Sequence, residues 1–212
     1  MSQENSRRTI PLDPRPGFSA YHLMTSLVVP RPIAWISTRS AAGDENLAPF
    51  SFFQAVSEAP PVVMISIGTH KAKLPEPKDT LSNIEATGEF AVNLATFDLR
   101  EQMNASSATV PPHVDEFELA RLTAVPCRFI KCNRVGESPA ALECRHYKTI
   151  DLPNDDGHVD DFLIIGRVVG VHIDDRYINE GRVDTAALKP LGRLGYAEYA
   201  TVDNVWRMRR PA

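Results

Sequence analysis

From residue 33 onward, short apolar runs alternate with turn residues. The segments "IAWISTR" (33–39), "NLAPFSFFQAVSE" (46–58) and "PVVMISIG" (61–68) are rich in β-branched and aromatic residues, and "SAAGDE" and prolines separate them. They predict three strands, and the short connections predict antiparallel neighbours. The second run is irregular. Pro49 stands inside it without an amide to give to a ladder, and Ser51 lies between Phe50 and Phe52. Alternation places Leu47, Pro49, Ser51 and Phe53 on one side and Ala48, Phe50, Phe52 and Gln54 on the other. Neither set is polar, so this strand is expected to be covered on both sides.

The period then changes. In "DTLSNIEATGEF" (79–90), Leu81, Ile84 and Thr87 share a helical face, Asp79 or Thr80 is a candidate cap, and Gly88 is a candidate stop. A strand, "EFAVNLA" (89–95), follows at once. Helical pieces are expected around "DLREQMNASSA" (98–108) and "VDEFELARL" (114–122). Strands are expected at "PCRFIKCNRV" (126–135), "AALECRHYKTI" (140–150) and "DFLIIGRVVGVHI" (161–173), with turns at "DDGH" (155–158) and "NEGR" (179–182). Many strands with few peripheral helices predict a mainly β domain, an antiparallel barrel or sandwich with helices at its rim.

Composition narrows the field of partners. The chain has 212 residues, enough for one domain over 20–212 behind an arm over 1–19 that carries Pro11, Pro14, Pro16 and Gly17. A net charge of -4 argues against nucleic acid. No apolar run approaches the ~20 residues that span a bilayer, and the polar start lacks the core of a signal peptide, so a cytoplasmic location off the membrane is expected. Cys127, Cys132 and Cys144 fit no zinc spacing and read as reduced structural thiols; on one regular strand Cys127 and Cys132 would face opposite sides. The acidic "NDDGHVDD" (154–161) lacks the ligand spacing of a calcium loop, and the six histidines show no metal-binding pair. GxSxG, GxGxxG and GxxxxGK are all absent. Neither a metal nor a catalytic side chain is therefore predicted.

Two stretches carry candidate chemistry. In "PKDTLSNI" (77–84) a helix start offers unpaired amides and partial positive charge, Lys78 adds a full charge, and Thr80 and Ser82 add hydroxyls, a set suited to phosphate. Asp79 competes as an ordinary cap. If 33–39 pairs with 46–58, then Ser37, Thr38, Asn46 and Ser51 lie near Trp35 and Phe52, and together they offer apolar faces with a polar rim for a flat aromatic ligand. The alternative is a plain strand pair with a buried face.

In order along the chain, "RPIAWIST" (31–38), "NLAPFSFFQAVSEAPPVVMISIG" (46–68), "KDTLSNI" (78–84), "EFAVNL" (89–94), "DFLIIGRVVGVHIDD" (161–175) and "PLGRLGYAEYA" (190–200) resemble the flavin reductase-like proteins, an FMN-binding split-barrel family. The resemblance implies an antiparallel split barrel that forms a homodimer with FMN near the interface. It implies flavin contacts from Asn46, Ala48, Pro49, Phe50, Ser51 and Phe52, with Trp35, Ser37 and Thr38 nearby, and phosphate contacts from Lys78, Asp79 and Thr80. Arg193 and Tyr196 approach the site on the same grounds. Two departures stand out: Glu116 occupies a segment where some relatives carry lysine, and Asp160 and Asp161 replace a Gly-Asp-His stretch of several dedicated reductases. The implied activity is NAD(P)H-dependent flavin reduction, hydride passing from the nicotinamide to flavin N5, with a monooxygenase or electron-transfer partner downstream. The rivals are an FMN-retaining electron carrier and a barrel that has lost its flavin and serves as a binding module.

Overall fold

The computed structural model describes residues 9–10, 19–68 and 78–211. Nearly all of the arm expected over 1–19 lies outside the described residues. The centre is a seven-stranded sheet in which every pairing is antiparallel. Its strands in chain order are β1 (Ala34–Arg39), β2 (Glu45–Phe50), β3 (Phe53–Glu58), β4 (Pro61–Gly68), β5 (Glu89–Leu94), β6 (Ala140–Pro153) and β7 (Val159–Ile173). In space they run β2-β1-β5-β6-β7-β4-β3.

The run 46–58 is therefore not the single strand its pattern predicts. It supplies both edges of the sheet, and Ser51 and Phe52 form the bend between them. Laid flat, seven strands at about 4.8 Å spacing would put the edges about 29 Å apart, whereas three peptide units reach about 11 Å. The sheet must curl. Yet β2 and β3 share no ladder, so the barrel stays split between them. Pro49 sits on edge strand β2, opposite Trp35, where a missing amide breaks no outer pairing. At the bend, the Ser66 amide donates to the Phe52 carbonyl at 2.8 Å and holds the turn against β4.

Burial follows the alternation. Ala34, Ile36 and Phe50 enter one core with Ile65, Ile67, Phe90 and Ile164, closed by Leu81 and Ile84 of helix α2 (Asp79–Thr87). Trp35 and Leu47 point the other way, into a second cluster with Met103 and Phe117. Both faces of the β1–β2 pair are thus covered, but the cover expected for the whole of 46–58 fails in β3, where Gln54 to Glu58 are exposed on a sheet edge. Gly166 on β7 is required by packing, since a Cβ there would lie 2.3 Å from the Phe90 ring.

Helix α1 (Ala20–Leu27) precedes the sheet, and α3 (Arg100–Ala105) and α4 (Glu116–Leu119) follow β5. α2 stops where predicted: Gly88 adopts a left-handed φ of 72° and donates its amide to Ile84 O. Its start is one residue early. Lys78 is the N-cap, because its extended backbone already presents its carbonyl to the amides of Leu81 and Ser82, leaving Asp79 inside the helix.

The segment 126–135 also departs from expectation. It folds into a hairpin, Ala124–Pro126 paired with Asn133–Val135. Carboxylates capture its turn: Glu143 accepts the amides of Arg128 and Phe129, and Glu89 accepts that of Lys131. Those donors are then lost to any ladder. Among the described residues, no helix is long and apolar enough to cross a membrane.

Candidate functional site

A cleft of about 230 Å³ opens between β2, the start of α2 and the segment 106–110. Asn46, Ala48, Pro49 and Phe50 form one wall, Lys78, Asp79 and Thr80 another, and Ser106, Ser107, Ala108, Thr109, Val110 and Glu116 the rest. Seven of the residues expected from sequence therefore converge from two elements remote in the chain.

Asn46 is the hub. Cross-strand pairing sets it opposite Thr38, whose hydroxyl donates to Asn46 Oδ1 at 3.1 Å, while the Thr80 hydroxyl donates to the same oxygen at 2.8 Å. Asn46 Nδ2 donates to Glu116 Oε2 at 3.2 Å, and the Leu47 amide donates to that oxygen at 3.0 Å. Asn83 of α2 completes the chain by donating to Thr38 Oγ1 at 3.1 Å. This network ties β1, β2, α2 and α4 together, and its members are buried except for half-buried Asn83. Such groups are worth more paired than their sum, and any one left alone is costly.

Charge at the rim is mixed. Burial pushes the Glu116 carboxyl up from its ordinary value, while the bonds from Leu47 and Asn46 hold it back and Asp79 pushes in the same direction as burial. Burial also pulls the Lys78 amine down, opposed by the Asp161 carboxylate. Lys78 Nζ stands 5.2 Å from the centroid of the Phe50 ring, a cation over an aromatic face. The N-cap Lys78 makes no capping hydrogen bond, and the first turn of α2, with Asp79 and Thr80, lines the cleft.

Other expected residues lie elsewhere. Trp35 is fully buried beneath the cleft, its indole N–H donating to Ser106 Oγ at 2.9 Å. Ser37 is buried against the 124–135 hairpin and donates to Asn133 O at 2.7 Å. Thr38 stands behind Asn46. Ser51 and Phe52 face a second, apolar hollow of about 430 Å³ with Met24, Val28 and Arg31. Tyr196 packs on His22 of α1, and its carbonyl accepts from Arg193, so both stand outside the cleft. The segment 106–110 and the buried role of Glu116 escaped the sequence reading. Glu116 drew notice only as a missing cation, and no local pattern marks it as a hydrogen-bond acceptor for β2.

Residues 24–191 match the family model described as "Flavin reductase like domain". The chain belongs to the flavin reductase-like family. It is 37% identical over 193 residues to an uncharacterized protein of Halalkalibacterium halodurans, covering 90% of each chain. Nitrilotriacetate monooxygenase component B from Bacillus cereus superposes with a TM-score of 0.87 at 31% identity, covering 96% of this chain and 100% of that one. A putative flavin reductase with a split barrel domain from Shewanella frigidimarina superposes with a TM-score of 0.80 at 23% identity, covering 92% and 95%. The open sheet whose two edges meet at one bend is the same fold.

Proposed function

We propose that this member of the family binds FMN in the cleft between β2 and α2 and acts as an NAD(P)H-dependent flavin reductase. The observation that carries this reading is the opening of α2, where the start of the helix and Lys78 line one wall of the cleft. This donor set fits a terminal phosphate. Glu116, an acceptor on the opposite wall, fits the hydroxyls of a sugar-like chain, and the aromatic and backbone surface at Pro49 and Phe50 fits a flat ring with a polar edge. Bound there, FMN supplies N5 as the acceptor of a hydride from the nicotinamide. The chain's own residues hold the phosphate, orient the ring along β2 and exclude water, tasks that require no side chain to exchange a proton.

A second copy completes the site. The cleft's 230 Å³ is below the ~300–1,000 Å³ of pockets that enclose drug-sized ligands. β3 is exposed along nearly its whole length, including Val56, and exposed Val28 lines the same hollow as Phe53 and Gln54. A homodimer over this surface both covers it and deepens the site. The partner that consumes reduced flavin is a monooxygenase, a reading supported by the likeness to a monooxygenase component at 31% identity.

The test is spectroscopic and kinetic. Purified protein should take up FMN with a perturbed visible spectrum and oxidise NADH or NADPH only when flavin is present. Replacing Lys78 by alanine should weaken FMN about 10- to 100-fold, the loss expected for a charge-assisted hydrogen bond, and leave riboflavin nearly unchanged. Equal losses for the two ligands would overturn the phosphate assignment. Retained FMN without nicotinamide oxidation would point instead to an electron carrier.

A further inference from the structure

Away from the cleft, the hairpin 124–135 brings two thiols together. Its register pairs Ala124 with Val135, Val125 with Arg134 and Pro126 with Asn133, and the next rung sets Cys127 opposite Cys132. The Cys127 amide donates to the Cys132 carbonyl at 3.3 Å. Directly opposed antiparallel residues have Cα atoms about 4.5–5.5 Å apart, within the ~4.4–6.8 Å that a disulfide spans. Both side chains lie on one side, where Cys127 packs on the small cluster of Ala91, Ile130 and Cys132. The loop between them is already held at three amides by Glu143 and Glu89, so joining the sulfurs needs no new fold of the turn.

We propose that Cys127 and Cys132 form a redox-active dithiol that hydrogen peroxide converts into an intramolecular disulfide. Cys127 is half-buried and Cys132 buried, so the oxidant meets Cys127 first. The Cys132 and Cys127 side chains are hydrogen-bonded to each other, so the two sulfurs already lie side by side. The Cys127 sulfur displaces hydroxide from the peroxide, is oxidised by two electrons and becomes a sulfenic acid. The Cys132 sulfur then attacks it, the S–O bond breaks, the Cys132 proton leaves with the hydroxyl as water, and the S–S bond forms. In balance, two thiols and one peroxide give one disulfide and two waters. Cys144, wholly buried on β6, takes no part. The proposal is independent of the flavin reading.

The reduced full chain, exposed to peroxide and then alkylated under denaturing conditions, should keep one of its three thiols and lose the mass of two hydrogens. Because Arg128 and Lys131 lie between the two cysteines, trypsin should release two peptides joined by a bond that dithiothreitol breaks. Cys144→Ala should leave this result unchanged. Cys132→Ser should stop at a dimedone-reactive sulfenic acid on Cys127. Survival of all three thiols, a crosslink through Cys144 or between chains, or direct passage of Cys127 to sulfinic acid would each overturn the proposal. The wild-type digest decides the matter even if a variant fails to fold.

Discussion

β2 and β3 come from one uninterrupted stretch of sequence, both pair with a single neighbour, and both form an edge of the same sheet. Their environments differ sharply. β2 is closed on both faces, Leu47 against Trp35 and Phe117 and Phe50 against Ile36 and Leu81, and its polar Asn46 is tied to α2 and α4. β3 carries Gln54, Ala55, Val56, Ser57 and Glu58 into the open, and Val56 is 50% exposed. Similar apolar content thus yields a cleft wall in one half and bare surface in the other. What separates them is the cover: helices α2 and α4 reach β2, whereas β3 stays exposed from Gln54 to Glu58 among the described residues. A long exposed edge with apolar residues invites pairing, which is why the proposed dimer is placed there.

The comparison breaks most severely at Asn46. Asn46→Ala removes the acceptor for Thr38 and Thr80 and a donor to buried Glu116, leaving several polar groups without partners. The expected cost is about 3 kcal/mol, and with ~2–4 °C per kcal/mol in a chain of this size, a fall in Tm of about 10 °C in a thermal scan. FMN affinity should fall with it. A variant as stable as wild type would mean that the network is not what organises β2.

On the open side the effect should move from stability to association. Val56→Asp places a charge on surface already in water within one chain, so monomer stability should change by less than about 0.5 kcal/mol. In a dimer the same carboxylate is trapped in an apolar interface, at a cost of about 2 kcal/mol or roughly 30-fold in the dissociation constant. Sedimentation across a concentration series reads this directly. An unchanged oligomer would move the interface away from β3.

These outcomes also mark what a sequence can reveal. The stop of α2 at Gly88 and the pairing of 34–39 with 45–50 were legible because each depends on residues close in the chain. The bend at Ser51 and Phe52 was visible as an interruption, but its meaning was not. Which edge a strand joins depends on ladders with distant partners, here the Phe52 carbonyl with Ser66 and β4 as a whole with β7. The hairpin at 124–135 read as one strand because carboxylates at Glu89 and Glu143, far along the chain, hold its turn. The role of Glu116 could not be read because the groups it binds, Asn46 and the Leu47 amide, stand 70 and 69 positions earlier.

The smallest expected effect separates the covered region's glutamate from a glutamate elsewhere. Glu116 and Glu143 are both buried, but Glu116 accepts from the Asn46 side chain and the Leu47 and Glu116 amides, while Glu143 accepts from the Arg128 and Phe129 amides and His172. At Glu116 burial dominates and the folded carboxyl sits above its usual 4.5. At Glu143 burial also pushes upward, but the bonds from Arg128, Phe129 and His172 together outweigh it and hold the carboxyl below that value. The signs follow by linkage. Glu116 favours the folded state most below pH 4.5, and that contribution is lost as pH rises through its raised folded value. Glu143 contributes above pH 4.5, and its share is lost as pH falls through its lowered folded value. Denaturant unfolding of wild type against Glu116→Gln should therefore show wild type losing ground as pH rises from about 4.5, whereas against Glu143→Gln it should lose ground as pH falls below about 4.5. If both differences moved the same way, the distinction between a carboxylate ruled by burial and one ruled by its hydrogen bonds would fail.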